Sequence, residues 1–193
     1  WAVIHGEKET GVTTFRLQHA IDTGGVLLQT SFPIGENETT GEVHDRMKLI
    51  GAQLLVTTVK GLAAGTLSET PQSTLEERIT GTLHNAPKIF TETCIIDWNQ
   101  PVATVHNLVR GLSPFPGALT KLEGKTLKLY RSEKEITQHG FPAGLVFSDQ
   151  KTYLKFSCTD GYLQILDLQL EGKKRMLVAD FLRGYHWQKP PSA

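Results

Sequence analysis

Apolar residues recur along the chain at two periods, and the changes of period mark its elements. Val12 to Leu17 alternates apolar and polar side chains well enough for a strand. Val26, Leu27, Leu28, Phe32 and Ile34 form a second strand-like run, and the glycine-bearing turn between the two predicts an antiparallel return. From Val43 the spacing changes to four, three and four, through Met47, Ile50 and Leu54, which is the stripe of an amphipathic helix. Leu55, Val59 and Leu62 are expected to widen that face. Thr39 and Glu42 have the spacing of a capping box, in which a hydroxyl and a carboxylate satisfy orphan N–H groups of the first turn. Gly65 is the expected C-terminal stop. Strand, turn, strand and long helix offer too little core to stand alone, because a two-stranded sheet needs neighbours to cover it.

The pattern then lapses. Thr66 to Thr82 is polar, with Pro71 and a Glu76-Glu77-Arg78 cluster, and His84-Asn85-Ala86-Pro87-Lys88-Ile89 continues without a period. A long irregular stretch inside one compact domain is uncommon, so a linker is expected, with boundaries at 1–70, 71–97 and 98–193. A second helix is expected from Pro101, with Asn99 as its cap and Val102, Val105, Leu108, Val109 and Leu112 as its apolar face. Five short strand-like runs follow: 118–122, 126–130, 144–147, 153–156 and 162–170. Turn residues such as Glu123-Gly124-Lys125 and Thr159-Asp160-Gly161 separate them. That spacing predicts a small β-barrel. Val178 to Arg183 reads as a short closing helix, and the tail Gln188–Ala193 as frayed.

Composition adds class. Of 193 residues, 39% are apolar and 21% charged, the balance of an ordinary globular protein. No apolar run approaches a membrane span and no signal-peptide pattern is visible. The chain opens at Trp1 inside what reads as a domain, so it is expected to be the later part of something longer. Cys94 and Cys158 lie far apart without ligand spacing, and two reduced core thiols are expected, with a disulfide as the alternative. No His/Cys pattern implies a metal. Charge is uneven: residues 1–93 hold 7 Lys+Arg against 11 Asp+Glu, and residues 94–193 hold 13 against 9. A basic second half suggests a polyanionic partner, with chance clustering of solvated charges as the alternative.

The chemistry-bearing segment is Ala20-Ile21-Asp22-Thr23-Gly24-Gly25, a carboxylate in a glycine-rich turn between two strands. Turns held by a rigid sheet are where catalytic groups concentrate. By its residues alone Asp22 better suits a turn carboxylate bonding its own backbone.

Here the residues match a known family. Trp1-Ala2-Val3-Ile4-His5-Gly6, the Glu9–Thr14 stretch and Ile21-Asp22-Thr23-Gly24 resemble the later half of the folate-dependent formyltransferase domain. Ala86-Pro87-Lys88-Ile89 with Ile96-Asp97-Trp98 resembles the linker of methionyl-tRNA formyltransferases. Val109 to Ala118, Leu170 to Met176 and Ala179 to Gly184 resemble their C-terminal domain. The resemblance implies an α/β, Rossmann-like formyltransferase fragment followed by an OB-like β-barrel. It implies a bacterial, cytoplasmic, monomeric enzyme with no membrane and no metal. Its reaction moves the formyl group of 10-formyltetrahydrofolate to the amine of methionine on initiator tRNA. Family members use an Asn, a His and an Asp. Asp22 matches the Asp, and these 193 residues contain no Asn-x-His segment, so the chain alone is expected to be inactive.

Amine attack on a formamide-like carbon needs oxyanion donors and a proton shuttle. A carboxylate beside the histidine orients it and stabilises its cation; that role falls to Asp22. His19, Ala20, Ile21 and Asp22 match the turn that receives folate, with an exposed turn histidine as the alternative for His19. Lys88 matches a linker lysine facing tRNA, with a solvated linker charge as the alternative, and Phe90-Thr91 stands where a second cation is frequent. Lys173, Lys174 and Arg175 suit phosphate contact or a solvated loop tip. Arg110 suits tRNA contact or C-terminal helix capping. Lys121, Lys125, Lys128 and Arg131 are expected to extend one basic face. Two other functions fit parts of the pattern: a related formyltransferase or hydrolase with a sugar-nucleotide amine as acceptor, and a non-catalytic nucleic-acid-binding module.

Overall fold

A computed structural model describes residues 1–76, 83–185 and 187. Glu77 and Arg78 of the linker cluster and the Gln188–Ala193 tail lie outside the described residues. In chain order the elements are helix α1 (Ala2–His5), strands β1 (Glu9–Phe15) and β2 (Val26–Pro33), and helices α2 (Thr40–Ala63) and α3 (Gln72–Glu76). A 3-10 turn (Glu92–Cys94) and helix α4 (Val102–Gly111) follow. Strands β3 (Ala118–Leu122), β4 (Lys125–Ile136), β5 (Val146–Ser148), β6 (Leu154–Ser157), β7 (Gly161–Leu170) and β8 (Met176–Leu177) precede helix α5 (Val178–Gly184). These gather into two compact units that interleave along the sequence. One is Lys8–Gly35 with Glu42–Asn85; the other is Trp1–Glu7, Glu36–Gly41 and Ala86–Ala193.

In the first unit β1 and β2 pair antiparallel, with a register shift between Thr14 and Phe15. Helix α2 lays the stripe Val43, Met47, Ile50, Leu54 and Thr58 toward them. The Thr14 and Thr58 hydroxyls meet at 2.8 Å, and the Arg46 guanidinium lies 5.0 Å above the Phe32 ring. Leu55, Val59 and Leu62 do not widen this face: they are exposed, lying about 80–140° around the helix from the centre of the stripe. The stretch expected to be irregular has order of its own. Thr70 bridges Val26, and α3 follows at once.

The second unit carries one antiparallel sheet in the order β3-β4-β7-β6-β5, with β8 on β7. β4 runs past its expected end at Tyr130 to Ile136, and β8 was not foreseen from periodicity. Glu123 and Gly124 have φ of 49° and 82°, so the β3–β4 hairpin closes on two left-handed residues, as a two-residue turn requires. Val102, Val105 and Val109 of α4 and Phe181 and Leu182 of α5 pack against Leu127, Leu129, Leu154, Phe156, Leu163, Ile165 and Leu168 of the sheet. Cys94 and Cys158 are buried and free. Asn99 does not cap α4. The Val102 N–H donates instead to Asp160 Oδ1 at 2.7 Å, from the turn before β7. Helix α1 approaches α4 so closely that a Cβ on Gly111 would lie 2.4 Å from Ile4 Cγ1. At the far end of α4 the Gly111 carbonyl accepts from Thr40 Oγ1 at 2.8 Å, and the Ser113 carbonyl from the Gly41 N–H at 3.0 Å. Among the described residues no helix is long and apolar enough to cross a membrane.

Candidate functional site

The turn between β1 and β2 is held from below by the segment before α3. The Arg16 N–H donates to the Gly25 carbonyl at 3.0 Å, which closes the loop. Gly24 fits beneath Arg16 because it has no side chain: a Cβ there would lie 1.5 Å from the Arg16 carbonyl oxygen. Asp22 adopts the left-handed region at φ 59°, which Asp tolerates better than most residues. Thr23 Oγ1 donates to the Ala20 carbonyl at 3.0 Å. The Gln72 amide reaches up from α3 and donates to the carbonyls of Asp22, at 2.7 Å, and Gly24, at 2.9 Å. Arg16 Nε pairs with Glu69 Oε1 at 2.8 Å, and Val26 and Thr70 exchange backbone hydrogen bonds at 2.8 and 2.9 Å.

Above this frame Asp22 borders a cleft of about 310 Å³, with Thr13, Phe15, Val26, Gln29, Gln72 and Leu75. The Gln29 amide donates to Thr13 Oγ1 at 3.1 Å. An apolar floor rimmed by amides and a hydroxyl suits a planar ring with hydrogen-bonding edges. Among the described residues Asp22 is the one ionisable group on that lining, so these residues can orient a cation or take a proton but supply no nucleophile–base pair. His19, Ala20 and Ile21 are exposed on the same turn. Among the described residues no cluster of three or more His, Cys, Asp or Glu could hold a metal.

The other unit places the expected cations unequally. Lys88 is exposed, its Nζ 5.5 Å above the Phe90 ring. Lys121, Lys173 and Lys174 are exposed. Arg175 donates through Nε to Asp167 Oδ2 at 2.8 Å and lies 4.2 Å above the Tyr130 ring. Arg110 is buried, donating to Asn107 Oδ1 at 2.8 Å and the Glu38 carbonyl at 3.2 Å. The expected single strip of four strand cations is split. Lys121 and Lys128 share the outer face of the hairpin with Leu119 and Thr126, whereas Arg131 lies beyond a register shift. Arg131 lines a separate cavity of about 140 Å³ with His106, Arg110 and Ser132. In it His106 Nδ1 sits 3.0 Å from Ser132 Oγ, and burial pushes its pKa down to about 4.

Two family models cover most of the chain. One, described as formyl transferase, C-terminal domain, matches residues 88–186; the other, described as formyl transferase, matches residues 1–59. The chain belongs to the formyltransferase family. It is 46% identical over 190 residues to the methionyl-tRNA formyltransferase of Parabacteroides distasonis, which covers 96% of this chain and 58% of that one. The chain thus spans somewhat more than half the length of the relatives it matches. Two solved structures share the fold. HypX from Aquifex aeolicus in complex with tetrahydrofolic acid has a TM-score of 0.64 at 20% identity, covering 100% of this chain and 35% of its own. The N-formyltransferase from Helicobacter canadensis, in complex with folinic acid and dTDP-3-aminofucose, has a TM-score of 0.56 at 17% identity, covering 91% and 59%.

In this formyltransferase chain, sequence reasoning located Asp22 and its turn but missed what supports them. Gln72, Glu69, Arg16 and Gln29 carry no signature in one dimension. Gln72 follows Pro71 in a stretch without a period, and its two acceptors lie about fifty positions earlier.

Proposed function

We propose that this chain carries the folate-side carboxylate and the tRNA-binding part of a methionyl-tRNA formyltransferase, which moves the formyl group of 10-formyltetrahydrofolate to the amine of methionine on initiator tRNA. The supporting observation is the close relative of that name along nearly the whole chain, together with an Asp22 turn fixed over a cleft of suitable shape. Asp22 orients a histidine and stabilises its cation while that histidine moves the amine proton. None of the described residues lining the cleft is a histidine. The turn His19–Ile21 receives the pterin through backbone groups, over the apolar floor of Phe15, Val26 and Leu75. The six-stranded sheet is read as an OB-like barrel, and Lys88, Lys121, Lys173 and Lys174 supply phosphate contacts from its exposed side. Arg175 and Arg110, committed to Asp167 and to the Glu38 carbonyl, brace that surface instead.

The test joins this chain to the part of the Parabacteroides distasonis relative that it leaves uncovered. The fusion is expected to formylate methionyl-tRNA, and Asp22→Asn to lower the rate at least about 100-fold without weakening tRNA binding. Formylation of a sugar-nucleotide amine with methionyl-tRNA untouched would overturn the acceptor assignment. An undiminished Asp22→Asn rate would overturn the role of Asp22.

A further inference from the structure

Phe32, Phe147, Phe156 and Phe181 are buried, as phenyl rings normally are. Phe141 is half-exposed but packs against His139 and Phe147, whereas Phe90 and Phe115 break that pattern together. They are 57% and 85% exposed, and both border one groove of about 600 Å³ in the second unit. Ile89, Cys94, Leu119 and the stem of Lys128 form the rest of its apolar wall. Two exposed rings on one groove mark an interaction surface rather than scattered surface apolarity. The groove is built in advance. The Phe90 N–H donates to Thr93 Oγ1 at 3.4 Å, the Cys94 thiol to the Phe90 carbonyl at 3.3 Å, and the Gly117 N–H to the Leu112 carbonyl at 2.9 Å.

Charge decides what it takes. Lys88 sits above Phe90, Lys128 donates to the Pro116 carbonyl at 3.3 Å, and Lys121 lies on the same face of the hairpin as Lys128. The carboxylates nearby are Glu92, in the 3-10 turn, and Glu171, which accepts the Thr126 N–H at 2.9 Å. Lys88 lies over one ring and Lys128 lines the groove, so cations stand directly beside flat apolar rings. An apolar peptide supplies no anions, and a duplex keeps its base faces stacked inside. Unpaired nucleotides supply both ring faces and phosphates.

We propose that this groove binds unpaired nucleotides of RNA, with Phe90 and Phe115 stacking on bases and Lys88 and Lys128 on the adjoining phosphates. The proposal rests on the tRNA-binding reading above and adds a single-stranded site to it.

The test uses the full chain, a labelled single-stranded oligoribonucleotide, an RNA hairpin and initiator tRNA, followed by fluorescence anisotropy across a salt series. Phe90→Ala and Phe115→Ala are each expected to weaken single-strand binding by about 5- to 150-fold with the salt slope unchanged. Lys88→Ala and Lys128→Ala are expected to weaken it and to reduce the slope by about 0.7 each. Phe115→Leu keeps apolar area but loses the flat ring, and is expected to bind as weakly as the alanine variant. Phe115→Trp is expected to keep the affinity and to lose indole fluorescence when the oligonucleotide binds. Both phenylalanines are exposed, so unchanged thermal unfolding is expected throughout. Phenylalanine variants that bind like the parent, with only the lysine variants impaired, would overturn stacking and leave the tRNA reading standing. Hairpin binding as tight as single-strand binding would also overturn it. Initiator tRNA affinity that is flat with salt would remove the tRNA reading itself.

Discussion

At the scale of single residues, the pivot is Gln72. Its amide meets two carbonyl oxygens, those of Asp22 and Gly24, and so fixes the plane of the turn on either side of Thr23. Gln72→Ala removes both bonds and should cost the turn about 1–3 kcal/mol, at the usual net worth of a hydrogen bond. Gln72→Glu should be worse, because an acceptor-only carboxylate would face two carbonyl oxygens. Protection of the Thr23 to Val26 amides should fall in the order parent, alanine, glutamate, and on the folate reading proposed above so should affinity for 5-formyltetrahydrofolate. Equal protection and affinity in all three would remove Gln72 from the site. The contrast with Asp22 explains what a sequence exposes. Asp22 stands out because it interrupts a glycine-rich turn between two runs of apolar residues, a local pattern. Gln72 acts across the fold on backbone atoms, which any residue type at positions 22 and 24 would present.

At the scale of elements, α4 is tied to its surroundings by polar contacts that periodicity cannot reveal. Its valine stripe was legible from spacing. Its cap was not, since Asp160 reaches Val102 from a turn 58 positions later and Asn99 only looks well placed. The end of β4 was hidden differently: Ser132-Glu133-Lys134-Glu135 carries no apolar alternation, but ladder bonds to β7 hold it as a strand. His106 joins these two elements. It is 1% exposed, bonded to Ser132 on β4, with Nε2 3.4 Å from the Glu36 carbonyl. Burial lowers its pKa from 6.5 to about 4. The nearby Lys134 and Arg110 push the same way, while the Glu36 carbonyl and carboxylate oppose them. Below pH 6.5 the unfolded chain therefore takes up a proton that the folded chain refuses until about pH 4. Its stabilising contribution is complete above pH 6.5 and falls away as the pH drops toward 4, by up to about 3 kcal/mol. The lowered carboxylates Asp45, Asp97, Asp149 and Glu171 have ordinary values of 3.8 and 4.5 and act from about pH 5.5 downward, so the slope between about pH 5.5 and 6.5 belongs to His106. Urea unfolding between about pH 6.5 and 5.5 should show this slope in the parent and lose it in His106→Asn, whatever the absolute stability of the variant. A slope that survives the substitution would assign the acid sensitivity elsewhere.

At the scale of the whole molecule, the two units differ in how much apolar surface each buries within itself. The sheet unit has a continuous core drawn from α4, α5 and most of its strands. The hairpin unit buries Val26, Phe32, Ile34 and Val43, while Leu49, Leu55, Val56 and Val59 on α2 face water. Hydrophobic stabilisation scales with the apolar area removed from solvent, so the hairpin unit should yield first to denaturant. The tryptophans allow the two to be told apart. All three, Trp1, Trp98 and Trp187, belong to the sheet unit, because Trp1–Glu7 clusters with it and not with the adjacent β1. That assignment was invisible in the sequence, where Trp1 to Gly6 reads as the start of the hairpin unit. Far-ultraviolet circular dichroism reports helix in both units, including all of α2 beyond Gly41. In guanidinium, the helical signal should therefore begin to fall before tryptophan emission changes, with exchange at β1 and β2 amides preceding that at β4 and β7. Coincident curves from both probes would mean that the units unfold as one cooperative body, and that the exposed face of α2 costs the hairpin unit less than its buried area implies.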